Sequence, residues 1–286
     1  MRFISFKSGS TTGLAVAVRD SVFHGLLTSD AGYPGDLVDL LRKGSGAIRG
    51  AAETLSCGAE IDLRAVELLP PVREPEKIIC IGLNYVDHSL ESGFKPPSYP
   101  AVFARFKSSL IGHQASIVRP TVSEQLDYEG ELVAVIGKGG RHIPRDTALE
   151  HVAGYSLFND ASIRDFQFRS GQWTMGKNFD STGAFGPAFI TADEFPPGCK
   201  GLQFETHLNG IVVQRAAIDD LIFDVASLVA LLSDAFTLVP GDLIVTGTPG
   251  GVGLARTPPL WMKPGDVCVI TSNALGELRN PIVAES

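Results

Sequence analysis

The stretch LDYEGELVAVIG, residues Leu126 to Gly137, places two glutamates directly before a run of five apolar residues. That run, Leu132–Ile136, is typical of a buried β-strand. Residues i and i+2 of a strand point to the same face, so Glu129 and Glu131 are predicted to lie side by side. Adjacent buried carboxylates require a positive partner, and a hard cation such as Mg²⁺, Mn²⁺ or Ca²⁺ suits their oxygens. The alternative is an edge strand on which both acids are solvated.

A third acid follows another apolar run further along the chain. Val152–Phe158 is predicted to form a second buried strand, and it ends in Asn159-Asp160. An acid at the end of a buried strand is well placed to face a site at the rim of a sheet. We therefore predict that Glu129, Glu131 and Asp160 are the ligands of a divalent metal ion.

Short apolar segments between Gly- and Pro-rich stretches predict a mostly β protein with a few helices, an α+β fold. The pairs Pro70-Pro71 and Glu74-Pro75 mark a linker, which predicts a small N-terminal α/β module at 1–70 and a larger domain at 71–286. Strands and helices do not alternate as they do in a Rossmann domain. The predicted elements include three strands, a helix, a hairpin turn and a late helix: Arg2–Phe6, Leu14–Val18, Ser21–Leu27, Leu37–Leu41, Asn209–Gly210 and Asp224–Phe236.

Composition excludes several classes of partner. The net charge of −8 argues against a general affinity for nucleic acid or anionic membranes. The chain has no run of 18 apolar residues, so no transmembrane helix is predicted. The N-terminal residues lack the apolar core of a signal peptide. The four cysteines are widely spaced and are expected to be reduced, mostly buried thiols. These features predict a cytoplasmic protein.

Two further segments carry candidate site residues. His88 and Glu91 are neighbours on a helical turn, where a carboxylate raises the basicity of an imidazole, as a general base requires. An ordinary exposed pair on a surface helix is the alternative. The glycines at 82 and 93 bracket this segment and would allow it to open and close. Lys177 lies in a polar loop where aromatic neighbours, with Met175, are expected to shield it from water.

The loop VTGTPGGVG, residues Val245 to Gly253, contains four glycines but is not predicted to bind a nucleotide. A dinucleotide fingerprint continues into a helix, and the prolines that follow here do not form one. The backbone N–H groups of this loop, together with Thr248, are predicted to hold a carboxylate. A purely structural turn remains the alternative.

Several motifs in this order resemble those of the fumarylacetoacetate hydrolase family, in its bacterial branch of acylpyruvate hydrolases and oxaloacetate decarboxylases. The resemblance covers about residues 72–283, and the first seventy residues match the family's variable N-terminal module only loosely. The matching motifs are IGLNYVDHSLE (81–91), FKSSLIG (106–112), DYEGEL (127–132), NDASIRDFQ (159–167), GQWTMGKNFD (171–180) and PGDLIVTGTPGGVG (240–253).

The resemblance implies a β-roll with sandwich-like sheets and flanking helices, a homodimer, and Mg²⁺ or Mn²⁺ on the three acids. It implies that His88 and Glu91 form an acid/base pair on a lid and that Lys177 stabilises an enolate. Thr248 would bind the substrate carboxylate. Arg164 and Gln167 would frame the substrate or a metal-bound water, although Arg164 could equally pair with Asp165 or Glu131. Gly82 is assigned to the same substrate pocket.

The function implied is metal-dependent hydrolysis of an acylpyruvate, such as fumarylpyruvate or maleylpyruvate, to pyruvate and a carboxylic acid. Such compounds arise in the catabolism of aromatic compounds. Oxaloacetate decarboxylation, or conversion of sugar-derived diketo acids or ureidoglycolate, is the alternative on the same metal core. Arg105 and Lys107 are candidates for binding a second carboxylate, or are solvated residues of a strand edge. A non-catalytic metal-binding protein and a glycosidase-type carboxylate pair are rivals from other classes.

Overall fold

The computed structural model describes residues 1–87 and 97–286. The strands in these ranges are β1 (Arg2–Ser8), β2 (Thr11–Arg19), β3 (Val22–Leu27), β4 (Ala59–Glu60), β5 (Glu67–Leu69), β6 (Ile78–Gly82), β7 (Ala101–Arg105), β8 (Leu110–Ile111), β9 (Ile117–Arg119), β10 (Leu126–Asp127), β11 (Gly130–Ile136), β12 (Val152–Asp160), β13 (Ser162–Ile163), β14 (Gly183–Thr191), β15 (Gln203–Leu208), β16 (Ile211–Ala217), β17 (Leu243–Val245), β18 (Val267–Ser272) and β19 (Gly276–Ala284). The helices are α1 (Leu37–Lys43), α2 (Ser45–Ser56), α3 (Arg164–Gln167), α4 (Thr174–Lys177) and α5 (Val225–Ala235).

The largest sheet carries the carboxylate-bearing strands. Within the described residues it contains twelve strands, and its main path runs β4-β3-β2-β1-β14-β12-β11-β17-β6-β7, with β5 added to β1 and β8 to β14. Most neighbours are antiparallel, but β17 pairs with β6 in parallel, as β8 does with β14. The expected mostly β, α+β fold with mixed sheets is confirmed.

Strand β11 is buried at every residue because both faces of the large sheet are covered. Leu132, Ala134 and Ile136 belong to one hydrophobic cluster, and Val133 and Val135 belong to another. A strand buried on both faces reads as a continuous apolar run, which explains why the sequence does not alternate here. Strands β12 and β17 pair with it on either side.

The N-terminal strands β1, β2 and β3 confirm the three predicted strands and extend the large sheet, since β1 pairs with β14. Helix α1 confirms the predicted helix, whereas sequence reasoning misses α2, in which Gly46 and Gly50 obscure the apolar periodicity. Helix α2 buries Ile48 and Leu55 in the cluster that also holds Val133. The two parts of the chain share this core, and the division near residue 70 stays a prediction.

A second sheet, in the order β16-β15-β18-β19-β9, lies over one face of the first. Its residues Phe204 and Ile270 join the cluster that holds Leu132, which makes the packing sandwich-like. The predicted hairpin turn connects β15 to β16. Asn209 and Gly210 have φ angles of 53° and 82°, the left-handed pair that a two-residue hairpin turn requires.

The late helix is confirmed as α5, and Asp224 caps its N-terminus. The Asp224 side chain accepts a hydrogen bond from the Ser227 backbone N–H at 2.8 Å. The helix buries Leu228 and Leu232 in the cluster shared by the two sheets. No helix in residues 1–87 or 97–286 is long and apolar enough to cross a membrane.

The four cysteines are free thiols, as expected. Cys57 is exposed, and Cys80, Cys199 and Cys268 are buried. Burial raises the pKa of the Cys268 thiol to about 12, which keeps it protonated and unreactive at neutral pH.

Candidate active site

The ends of β11 and β12 bring the three predicted metal ligands together. Gly130 is paired with Asn159, so Glu129 lies opposite Asp160, and the Asp160 backbone N–H donates to the Glu129 carbonyl at 2.9 Å. Opposite residues of antiparallel strands point to the same face, and Glu131 lies two residues further along that face. One carboxylate oxygen of each acid lies within 4.8 Å of the others. The structure thus assembles the triad that the two strand ends predict.

All three acids are buried, so the solvated edge strand is the wrong alternative. Lys177 Nζ lies 2.5 Å from Glu129 Oε2 and 2.6 Å from Asp160 Oδ2. Lys177 is 2% exposed, and its Nζ lies 4.9 Å from the centre of the Phe103 ring. Phe103 therefore helps to shield the Lys177 ammonium from water. Met175, which was also expected to shield Lys177, is 66% exposed.

Arg164 neutralises the other side of Glu129. Its Nη2 lies 2.7 Å from Glu129 Oε1, and its Nε donates to Asp127 Oδ2 at 2.8 Å. Its Nη1 donates to Gln167 Oε1 at 2.9 Å. Gln167 also lines the cavity, and with its oxygen held by the guanidinium, its amide nitrogen is the group of this side chain that can donate to a ligand. The ion pairs of Arg164 with Asp127 and Glu129 replace those considered from the sequence.

Sequence reasoning misses Asp127, although Asp127, Glu129 and Glu131 alternate as side chains on one face of a strand do. Asp127 is fully buried and accepts hydrogen bonds from the backbone N–H groups of Gly253 and Leu254 at 2.7 and 2.9 Å. It thereby joins the Gly-rich loop to the cations of the site.

Arg105 is neither a candidate substrate ligand nor a solvated edge residue, so both interpretations from the sequence are wrong. It is 3% exposed and does not line the cavity. Its Nε donates to the Lys177 carbonyl at 2.7 Å and lies 2.9 Å from Asp160 Oδ1. Lys107 is largely exposed and pairs with Glu74 at 2.5 Å. Arg105 is buried because the acids of the neighbouring strands require countercharges.

The loop after β17 contacts the acids directly. The Gly247 backbone N–H donates to Glu131 Oε2 at 2.5 Å. Thr248 Oγ1 donates to the Gly130 carbonyl at 3.0 Å and accepts from Gln214 Nε2 at 2.8 Å. The hydroxyl of Thr248 is thus held within the protein although the residue lines the cavity, and its binding of a substrate carboxylate stays a prediction.

A cavity of about 320 Å³ opens over these groups. Gly82 is required there, since a Cβ atom at this position would lie 2.2 Å from the Trp173 ring. Trp173 in turn packs edge-on against Phe103, with ring centres 5.5 Å apart. The lining residues are Ile81, Gly82, Leu83, Phe103, Glu129, Glu131, Arg164, Gln167, Phe168, Trp173, Lys177, Thr248, Val252, Leu254 and Ala255. All the predicted site residues that the structure describes line this cavity except Asp160, which lies beneath it.

Electrostatics favours a further cation at the triad. Burial, followed by the charges of Asp160 and Glu129, raises the pKa of Glu131 well above its usual range. Burial alone would lower the pKa of Lys177, but the charges of Asp160 and Glu129 outweigh it and raise that pKa. Asp160 Oδ1 is buried and ion-paired to Arg105, and Asp160 Oδ2 lies beside Lys177. Three buried carboxylates that bring one oxygen each within 4.8 Å of one another fit a hard divalent cation such as Mg²⁺ or Mn²⁺.

His88 and Glu91 lie outside the described residues, so their predicted pairing remains a prediction. The residues just before them are firmly held. Asn84 Nδ2 donates to the carbonyls of Thr246 and Phe223 at 2.7 and 3.0 Å. This attachment joins the start of the predicted lid to the loop that contacts Glu131.

The fold and this cluster agree with a known family. The family model described as the fumarylacetoacetate hydrolase C-terminal region matches residues 77–283. The chain belongs to the fumarylacetoacetate hydrolase family. The resemblance carried by the six motifs is therefore confirmed, and members of this family are enzymes.

Similar proteins within the family have different activities. The oxaloacetate tautomerase Fahd2a of Rattus norvegicus, a mitochondrial protein, is 36% identical over 288 residues, which cover 99% of this chain and 92% of the rat protein. The fumarylacetoacetate hydrolase of Exiguobacterium antarcticum has a TM-score of 0.85 and 32% identity. The maleylpyruvate hydrolase of Sphingobium sp. SYK-6 has a TM-score of 0.81 and 30% identity. In both comparisons the match covers 100% of this chain and 100% of the other chain.

Proposed function

We propose that this protein is a metal-dependent enzyme that forms the enolate of a 2-oxo acid. The first candidate for its reaction is keto–enol tautomerisation of oxaloacetate. The observation that carries the proposal is the buried triad Glu129, Glu131 and Asp160 beside the protonated Lys177, all within reach of one cavity. The choice of oxaloacetate rests on the similarity to an oxaloacetate tautomerase over almost the whole chain.

Glu129, Glu131 and Asp160 would hold Mg²⁺ or Mn²⁺. When bound, such a cation supplies Lewis-acid polarisation of a keto oxygen and so lowers the free energy of the enolate. The site contains four buried carboxylates, those of the triad and of Asp127, against the three buried cations Lys177, Arg164 and Arg105. That excess of negative charge is consistent with a site completed by a dication.

Tautomerisation moves one proton from the carbon beside the carbonyl to the carbonyl oxygen, with no other change. The raised pKa of Lys177 keeps its ammonium protonated at neutral pH, so it can donate to the oxygen on which negative charge develops. Gln167 lines the same cavity, and its amide nitrogen would be a second donor. We propose that His88, oriented by Glu91, removes the proton from carbon.

Hydrolysis of an acylpyruvate is the second candidate. It is favoured by the His88–Glu91 spacing and by the similarity to a maleylpyruvate hydrolase. In this reaction a water attacks the distal carbonyl, the C–C bond breaks, and the electron pair forms the pyruvate enolate, which is then protonated on carbon. Both reactions pass through the enolate of a 2-oxo acid, so the same cations serve both.

The test is an assay of metal-depleted protein with Mg²⁺ or Mn²⁺ added back. Decay of the enol absorbance of oxaloacetate reports tautomerisation, pyruvate and CO₂ formation report decarboxylation, and loss of acetylpyruvate or maleylpyruvate absorbance reports hydrolysis. We expect metal-dependent tautomerisation, reduced on the order of a thousandfold in Asp160→Asn, which removes a ligand and several kcal/mol of stabilisation. His88→Ala should slow the reaction without abolishing Mn²⁺ binding.

Each other outcome changes the proposal in a defined way. Acylpyruvate cleavage without tautomerisation would make the second candidate the function. Release of CO₂ from oxaloacetate as the main reaction would make the protein a decarboxylase. Full activity in EDTA would contradict the metal centre and favour a metal-independent carboxylate mechanism. We also propose a homodimer in the cytoplasm, and light scattering coupled to size-exclusion chromatography tests the oligomeric state.

A further inference from the structure

Gly130 lies between the two glutamates of the triad. On the side of Gly130 that faces away from β12, side chains rather than a neighbouring strand bind its backbone N–H and C=O groups. Strand β17 pairs with β11 only at Val133–Val135, so it has separated from β11 before Gly130 is reached. The N–H and C=O of Gly130 point to the side that β17 has left. Both groups are buried, and a buried backbone group without a partner would be destabilising.

Gln214 of β16 occupies this vacated edge. Its Oε1 accepts from the Gly130 N–H at 3.0 Å, and its Nε2 donates to Thr248 Oγ1 at 2.8 Å and to the Pro249 carbonyl at 3.0 Å. Thr248 Oγ1 completes the arrangement by donating to the Gly130 carbonyl at 3.0 Å. The side chain of Gln214 is 2% exposed and does not line the cavity.

We propose that Gln214 is a positioning residue for the metal ligands, an inference that rests on the proposed metal-dependent function. It fixes the backbone of Gly130, which lies between Glu129 and Glu131 in the chain. It also fixes Pro249, two residues beyond Gly247, whose N–H donates to Glu131 Oε2 at 2.5 Å. One amide therefore holds the backbone of Gly130, between the two glutamates, and the loop that orients the carboxylate of Glu131.

The chemistry of this position requires glutamine. A glutamate could accept from Gly130 but would face the Pro249 carbonyl with a second acceptor, and an asparagine is one methylene too short to reach both partners. Gly130 is equally constrained, since a Cβ atom there would lie 2.1 Å from Thr206 Oγ1. Strands β15 and β16 lie close to Gly130 of β11, and this allows a side chain of the second sheet to reach β11.

The test is Mn²⁺ binding to the metal-depleted full-length protein, measured by titration calorimetry and by the electron paramagnetic resonance signal of free Mn²⁺. Gln214→Met keeps the length and removes the hydrogen bonds. Thr248→Val removes the hydroxyl, and Thr248→Ser restores it. Ser272→Ala is the matched control, because this buried hydroxyl in the same sheet has no hydrogen-bond partner among the described residues. Thermal unfolding in EDTA checks that each variant is folded.

We expect Gln214→Met to weaken Mn²⁺ binding about 10- to 100-fold, as the loss of groups that orient metal ligands does. Thr248→Val should weaken it as well, whereas Thr248→Ser and Ser272→Ala should bind like wild type. Activity of Gln214→Met should recover at saturating Mn²⁺, since the residue does not touch substrate.

Wild-type affinity in a folded Gln214→Met variant would overturn the inference while leaving the metal centre intact. If Gln214→Met does not fold, the pair at Thr248 decides, and equal affinities of Thr248→Val and Thr248→Ser would overturn it. Failure of the wild type to bind Mn²⁺ would remove the proposed function and this inference together.

Discussion

The two ends of strand β11 are built on opposite principles. At its apolar end, Val133 and Val135 are paired with strands on both sides and buried in a hydrophobic cluster. At its acidic end, Glu129 and Glu131 are equally buried, but the strand on one side is replaced by Gln214 and a loop. The apolar end is stabilised by burial and backbone hydrogen bonds. At the acidic end, the buried carboxylates require countercharges.

The comparison separates what stabilises this fold from what equips it for chemistry. Taking carboxylates out of water is strongly unfavourable, and only close cations or hydrogen bonds offset it. The cations Lys177, Arg164 and Arg105 come from three different segments, so the acidic end is assembled only when the chain has folded. Substitutions at the acidic end should therefore change stability in a way that depends on Mn²⁺, and substitutions at the apolar end should change stability alone.

The largest effect should come from Lys177→Met, which leaves Glu129 and Asp160 without their shared cation. We expect the free energy of unfolding in EDTA to fall by about 3–5 kcal/mol, the loss typical of removing one partner of a buried ion pair. Added Mn²⁺ should recover part of it by replacing the missing charge. Urea denaturation with EDTA and with Mn²⁺ measures both.

The control for this substitution is Lys107→Met, which breaks the exposed pair with Glu74. Its free energy of unfolding should change by less than about 1 kcal/mol in either condition. Equal stabilities of Lys177→Met and wild type in EDTA would show that the acids of the triad do not need the lysine charge.

A smaller effect should come from Val135→Ala at the apolar end. Removing two methyl groups from a fully buried position should lower the free energy of unfolding by about 2 kcal/mol, through lost burial and the cavity left behind. Mn²⁺ affinity and turnover per folded molecule should not change. A weaker Mn²⁺ complex would contradict the separation of the two ends.

The smallest effect should come from Asp224→Ala at the start of α5, outside both ends of β11. Burial alone would raise the pKa of Asp224, but hydrogen bonds from Ser227 and the charge of Arg145 lower it below its usual 3.8. A carboxyl with a lowered folded-state pKa contributes stability above its unfolded pKa and loses it as the pH falls through the folded value. Loss of the cap should therefore lower the free energy of unfolding by about 1 kcal/mol at neutral pH.

That difference between Asp224→Ala and wild type should shrink as the pH falls below 3.8 and through the lowered pKa of the folded wild-type carboxyl. Urea denaturation at several pH values measures it. A difference that did not shrink as the pH fell below 3.8 would assign the stabilisation to packing rather than to the ionised cap.

Much of the site could be predicted from local patterns. The acids at 129 and 131 follow from their i, i+2 spacing before an apolar run, and Asp160 from its place at the end of another run. The two glycines of helix α2 obscure its apolar periodicity. Arg105 does lie on an edge strand, β7, but its side chain is on the face of that strand that is buried, which the local sequence does not reveal. Gln214 carries no signal in the sequence, since a glutamine in a β-hairpin is ordinarily a surface residue.

Side-chain period and residues close together in the chain were enough to predict the strands and the facing of the carboxylates, and the ordered motifs were enough to predict the family. Which cations neutralise the acids, and which side chain replaces the missing strand beside Gly130, depends instead on the tertiary structure. Those partners lie 17 to 84 residues apart. Contacts at such separations are selected by packing of whole sheets, which no local pattern encodes.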